Sequence, residues 1–192
     1  PTRRSSDLME KPLNNSKGCG GVMRVSPLAL YAGSMEGEQL LELDLMGAEL
    51  AAITHGHPLG YVPAAILTHL LSLCLYQGEG RDLANLAWES WEAVRDLFKE
   101  RFSPDDSLEE DLILMGELME KAVDYAALSG KDEEHIREIG EGWSGEEALA
   151  IALYACLRYP DDFSGAVICA VNHSGDSDST GAIAGNILGS FL

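Results

Sequence analysis

The densest set of side chains able to do chemistry in this sequence is Asn172-His173-Ser174-Gly175-Asp176-Ser177-Asp178-Ser179-Thr180. Asp176 and Asp178 are separated by one residue just before a helical pattern, so both carboxylates can turn to one side of an extended turn. The Ser179 hydroxyl adds a third hard oxygen. That donor set suits Mg²⁺, Mn²⁺ or Ca²⁺ rather than a thiolate-seeking metal. The same residues also fit a helix N-cap, with Asp178 accepting backbone N–H bonds and Asp176 solvated. Spacing alone leaves both open. An EF-hand is rejected: Asp176, Asp178, Thr180 and Gly181 match its early positions, but the place of the bidentate Glu is held by Ile187.

A second segment, Ser16-Lys17-Gly18-Cys19-Gly20-Gly21-Val22-Met23-Arg24, reads as a glycine-rich loop running into a helix. Glycines let backbone N–H groups approach a ligand, and a helix start favours an anion such as a pyrophosphate. A plain loop-to-helix junction gives the same pattern, and no Walker A loop is present. A third segment, Ile53-Thr54-His55-Gly56-His57-Pro58, ends a helix at a glycine. Its histidines could contact a ligand or metal, or simply cap the helix end and face solvent. Asp105-Asp106 and Asp161-Asp162 read as first-turn helix acids. No G-x-S-x-G or H-E-x-x-H motif occurs.

The elements that must position these residues are helical. Apolar residues recur at three- and four-residue spacings in Leu40–Ile53 and Ala64–Leu75, and Trp88, Trp91 and Val94 continue such a stripe through Asp82–Phe98. Ser103-Pro104-Asp105-Asp106 opens a helix to about Leu128, and Ser144-Gly145-Glu146-Glu147 reads as a capping box before Ala148–Leu157. Tyr159-Pro160-Asp161-Asp162 starts a helix through Val171. The last helix begins near Ser179, with Gly181, Gly185 and Gly189 on one face for close packing. Period-two alternation is absent, so the expected fold is all-α, a compact single-domain bundle of about eight helices.

The 192 residues suit one domain, able to bury roughly 70% of the unfolded surface. Thirteen Lys+Arg against 32 Asp+Glu leave a net charge of −19, which disfavours nucleic acid or an anionic membrane as a partner through a basic face. The most apolar stretch, Val62 to Tyr76, is shorter than the roughly 20 residues that span a bilayer. Cys19, Cys74, Cys156 and Cys169 are scattered without a C-x-x-C pair, as expected of reduced thiols in a cytoplasmic protein. The basic start PTRRSSDL, residues 1–8, is what one reading frame of a common sequencing adapter encodes, and is expected to be a non-native scar.

Taken in order, SKGCGGVMRVSPLAL, ITHGHPLGY and GWSGEEALAIALYACLRYPDDFSGAVICAVNHSGDSDSTGAIAGNILG resemble the ADP-ribosylglycohydrolase family, which includes the dinitrogenase reductase-activating glycohydrolase. The resemblance runs from about Ser16 onward, with residues 9–192 as the C-terminal part of such a domain. It implies an all-α fold of that type and a dinuclear Mg²⁺ or Mn²⁺ centre. The implied activity hydrolyses the bond between ADP-ribose and a modified side chain, most often arginine, so the partner is an ADP-ribosylated protein or a small ADP-ribosyl molecule.

By that resemblance Asp176 and Asp178 are catalytic and, with Ser179, metal ligands. Ser16, Gly18, Cys19 and Gly20 line the ADP-ribose site, His55 touches the ligand, and Trp143 lies beside the adenosine or distal ribose. Ser179 stands where the family often has Thr, and Cys19 where it more often has Asn. In the family a Glu and a Thr-Asp-Asp run upstream of the glycine-rich loop complete the metal site, and the residues before Ser16 do not supply that pattern. The expectation is therefore a truncated chain with half a dinuclear site and little turnover alone. The alternative is a non-catalytic relative, either an ADP-ribose binder or a crystallin-like structural protein. A metal-free two-carboxylate glycosidase is weaker, since no second pair at suitable separation is identifiable.

Overall fold

The computed structural model describes residues 7–102 and 106–192. Most of the suspected scar at 1–8, and the Ser103-Pro104-Asp105 helix opening, lie outside them. Among the described residues the fold is all-α, and an isolated antiparallel bridge joins Gly18 to Ser144. The α-helices are α1 Asp7–Glu10, α2 Ser26–Ala32, α3 Glu38–Ala52, α4 Pro58–Gln77, α5 Leu83–Arg101, α6 Asp106–Ala127, α7 Asp132–Ile139, α8 Gly145–Arg158, α9 Phe163–Val171 and α10 Ser177–Phe191. These are two more than the sequence pattern marks: α1 and α7 are the additions, the latter a charged segment, DEEHIREI, without a long apolar stripe.

Helix α4 is the axis of the bundle. It packs against α2, α3, α5, α6, α8 and α10, and its side chains are buried from Leu59 to Cys74. By length and composition it could cross a membrane, with a mean hydropathy of 1.6, but 89% of its most apolar window is buried by the rest of the protein. A helix that is apolar all round belongs inside a core as readily as in lipid. Helix α8 is buried along most of its length, and Ala148, Ala150, Ala152 and Ala155 keep it close to its neighbours. Pro63 in α4 has no N–H to offer the Leu59 carbonyl. That carbonyl stands 2.5 Å from where a Cβ on Gly145 would sit, so the first residue of α8 must be glycine to pass it.

Side chains cap several of the helix starts. His57 Nδ1 accepts the Leu59 N–H at the start of α4, and Asp82 and Asp162 cap α5 and α9 through their carboxylates. Asp162 is thus the N-cap itself rather than a first-turn acid. The expected capping box at Ser144 does not form: Ser144 makes no side-chain cap bond, and Glu147 reaches back to the N–H groups of Glu141 and Gly142. The glycine face of α10 also differs from expectation. A Cβ at Gly181 would sit 2.5 Å from Val171 Cγ1, but Gly185 faces open space and Gly189 makes ordinary contact with Phe163.

Asp132 ties α7 to the end of α8. Tyr154 donates to its Oδ1 at 2.7 Å, Tyr159 to Oδ2 at 2.6 Å, and Arg158 Nε lies 3.4 Å away. Burial raises its carboxyl, but the two phenols and the guanidinium outweigh that and hold it below the ordinary carboxylate value. A depressed acid lends stability above its unfolded pKa and loses it as pH falls through the folded one. Asp132→Asn is expected to cost about 2 kcal/mol at neutral pH, the scale of hydrogen bonds to a partly exposed charge. Urea unfolding should show that difference shrinking as pH falls below the ordinary carboxylate value, where the unfolded chain takes up the proton first, and gone once the native carboxylate is protonated too.

Candidate functional site

The glycine-rich loop is held between the starts of two buried helices. Gly145 N–H donates to the Lys17 carbonyl at 2.8 Å, Cys19 N–H to the Trp143 carbonyl at 3.1 Å, and His57 N–H to the Ser16 carbonyl at 3.2 Å. Such approach needs bare Cα positions. A Cβ on Gly60 would stand 2.8 Å from the Ser16 carbonyl oxygen, and one on Gly21 2.9 Å from that of Gly60. The loop then turns through a 3₁₀ turn, Cys19–Gly21, and α2 begins only at Ser26. The expected helix N-terminus behind the loop is therefore absent, and with it the pyrophosphate argument drawn from a helix dipole.

His55 lies over the loop. Its Nε2 is 3.3 Å from where a Cβ on Gly18 would be and 3.5 Å from that position on Gly20. Arg24 Nη2 donates to Thr54 Oγ1 at 2.6 Å, and Thr54 Oγ1 is 2.7 Å from His55 Nδ1. Thr54 Oγ1 also lies 3.5 Å from the Ala51 carbonyl, so its single proton can go to that oxygen or to Nδ1, and the contact suits either tautomer of the ring. Nε2 faces the glycines. Burial, with the Arg24 charge adding to it, lowers the His55 pKa and favours the neutral ring.

The acidic turn comes up against the same loop. Gly175 crosses Glu141 so closely that a Cβ would be 1.7 Å from the Glu141 carbonyl oxygen, and Asp176 N–H donates to that oxygen at 2.8 Å. His173 braces the turn, accepting the Gly175 N–H at Nδ1 (3.1 Å) and reaching Thr180 Oγ1 from Nε2 at 3.0 Å. Burial lowers its pKa, as suits a neutral ring accepting at one nitrogen. Asp176 is the N-cap of α10, and Asp178 stands exposed in its first turn. Of the two acids, the capping one is therefore Asp176, the reverse of the sequence expectation.

Cys19 joins the two segments. Its thiol donates to Asp176 Oδ2 at 2.8 Å, and Ser179 Oγ lies 3.3 Å from both Cys19 Sγ and Asp176 Oδ2. The thiol is pushed up, first by burial and then by its bond to Asp176. Burial raises Asp176 too, but bonds from Cys19, Asp178 and Ser179 outweigh it and hold the carboxyl below its ordinary value. Asp178 moves the other way, raised by its hydrogen bond to Asp176 and by that neighbour's charge. Two crowded carboxylates beside a hydroxyl are a hard-oxygen face for a divalent cation. They do not make a full shell: among the described residues no group of three or more His, Cys, Asp or Glu is placed to hold a metal.

The structure thus brings Ser16, Gly18, Cys19, Gly20, His55, Asp176, Asp178 and Ser179 into one place. Trp143 contributes its carbonyl to the loop while its indole is left 60% exposed. Sequence reasoning missed Met23, whose sulfur is 3.4 Å from Ser179 Oγ, and Glu146, which sits 3.5 Å from Lys17 Nζ with its other oxygen buried and unpartnered. It also missed Glu147 as the brace of the Glu141 turn. The acidic pair after Ser144 was the available signal, obscured by its fit to a cap. No curated protein matches the chain. The family model described as ADP-ribosylglycohydrolase matches residues 2–192.

Proposed function

The chain belongs to the ADP-ribosylglycohydrolase family, and on that footing we propose that it acts in the metal-dependent release of ADP-ribose from modified arginine side chains. The observation that carries the reading is the 2.8 Å contact of Cys19 with Asp176, which sets the glycine-rich loop against the paired acids across 157 residues of sequence. Asp176, Asp178 and Ser179 would hold Mg²⁺ or Mn²⁺, and a cation there supplies charge to polarise a ribose hydroxyl or a water. The half-buried backbone at Gly18 and Gly20, bare of side chains, lets the ligand approach, and His55 Nε2, which faces those glycines, contacts it. The exposed Trp143 indole offers a face on which adenine stacks.

The test is to mix the purified chain with ADP-ribosyl-arginine, ADP-ribosyl-serine or O-acetyl-ADP-ribose, with Mg²⁺ or Mn²⁺, and follow free ADP-ribose. The described ligands cover one side of a cation, so binding with slow turnover is expected, fastest on the arginine linkage. Neither binding nor turnover on any of the three contradicts the reading. Binding without turnover under every condition supports a non-catalytic ADP-ribose binder. Trp143→Ala should weaken ADP-ribose binding about tenfold, the scale of one base-stacking contact. Its melting temperature should stay put, because the indole is largely in solvent.

A further inference from the structure

Away from the site, α3 and the end of α5 flank an open groove of about 750 Å³. Leu41, Leu45, Met46 and Leu97 supply its apolar walls. Glu38, Glu42, Glu49 and Glu100 line it as well, opposed in the groove only by Arg101. None of these four carboxylates is in an ion pair among the described residues. Beyond the groove the apolar surface continues along α3 through Met46, Leu50 and Ile53, which are 49%, 41% and 51% exposed. Their i, i+4, i+7 spacing is one helix face. The path runs directly into Thr54 and His55, the latter lying over the glycine-rich loop.

We propose that this face of α3, with the end of α5, docks a protein substrate through an amphipathic helix flanked by Lys and Arg. The proposal rests on the function proposed above only in calling the partner a substrate, and it favours a modified protein over a small ADP-ribosyl molecule. Charge complementarity selects the occupant. An apolar stripe on the partner covers Leu45, Met46 and Leu50, while its cations meet carboxylates that have no ion-pair partner among the described residues. A second copy of this chain would bring the same four carboxylates against themselves, and an anionic lipid surface would be repelled for the same reason. From Glu38 to Ile53 the face is about 22 Å long at 1.5 Å per residue, room for roughly four helical turns.

The probe is a fluorescein-labelled synthetic peptide of about 16 residues, Leu and Lys in an amphipathic helical pattern, titrated with the whole chain at low salt. A permuted peptide of equal composition without the stripe is the control for general attraction to a highly acidic protein. The stripe peptide is expected to bind at least about tenfold tighter than the permuted one. Glu42→Lys/Glu49→Lys and, separately, Met46→Ser/Leu50→Ser should each weaken it about tenfold, the charge reversal losing its effect as salt rises. Both variants change surface positions and should leave ADP-ribose affinity as it is. Equal binding of the two peptides, wild-type affinity in both variants, or self-association through this face seen by sedimentation overturns the proposal. If the stripe peptide binds as expected but ADP-ribose does not, the docking surface stands and the proposed function falls.

Discussion

Gly175→Ala is expected to unseat the acidic turn. The methyl group would stand 1.7 Å from the Glu141 carbonyl oxygen and 2.6 Å from its carbon, and both are backbone atoms. Glu141 has little freedom to retreat, since the Glu147 carboxylate holds its N–H at 3.1 Å and that of Gly142 at 3.0 Å. Gly142 itself has φ 79°, a conformation that ties the turn to this one path. The clash must therefore break the bond from Asp176 N–H to Glu141 and shift Asp176 away from Cys19. Overpacking of this kind costs about 3 kcal/mol, read as a lower urea midpoint at unchanged slope. ADP-ribose affinity should fall about a hundredfold, in line with the cost of an ångström-scale misplacement. An unchanged midpoint with unchanged affinity would show that the turn does not position the site.

Asp178→Asn is expected to separate function from stability. Asp178 is exposed, and its carboxyl is pushed up by the hydrogen bond and charge of Asp176. Removing one of two crowded negative charges relieves a repulsion, so the melting temperature should hold or rise. Removing a hard-oxygen ligand should lower divalent-cation affinity about a hundredfold, measured by Mn²⁺ titration. Asp176→Asn makes the contrast. That change weakens the α10 cap and the acceptor for Cys19 and Ser179, so it should cost about 1 kcal/mol as well as metal affinity. A stability loss in Asp178→Asn, with Mn²⁺ binding intact, would return the acidic pair to a purely structural role.

The fold was largely legible because α3 and α5 carry apolar residues on one face at helical spacing, while Ser103-Pro104-Asp105-Asp106 and Ser144-Gly145-Glu146-Glu147 mark the starts of α6 and α8. Helix α4 was underestimated at both ends: its sequence is apolar on every side, so periodicity gives no edge, and its start is set by Pro58 and the His57 cap. Helix α7 escaped because its charged residues give little apolar stripe over so short a run. The Ser144 capping box failed for a tertiary reason. Residues 143–145 are taken up in pairing with residues 17–19, leaving Glu147 to brace the Glu141 turn. The individual segments of the candidate site could be read locally, but no local pattern can say that Cys19 meets Asp176, since that contact is created by the packing of α8 and α10 against α4.

The most direct measurement is calorimetric titration of ADP-ribose into the chain, with and without Mn²⁺ or Mg²⁺, alongside the Asp178→Asn variant. The account predicts one site per chain, tightened by the cation in the wild type and indifferent to it in the variant. No binding, or binding that neither the cation nor Asp178 alters, would contradict the claim that the paired carboxylates and the glycine-rich loop form one metal-assisted ADP-ribose site.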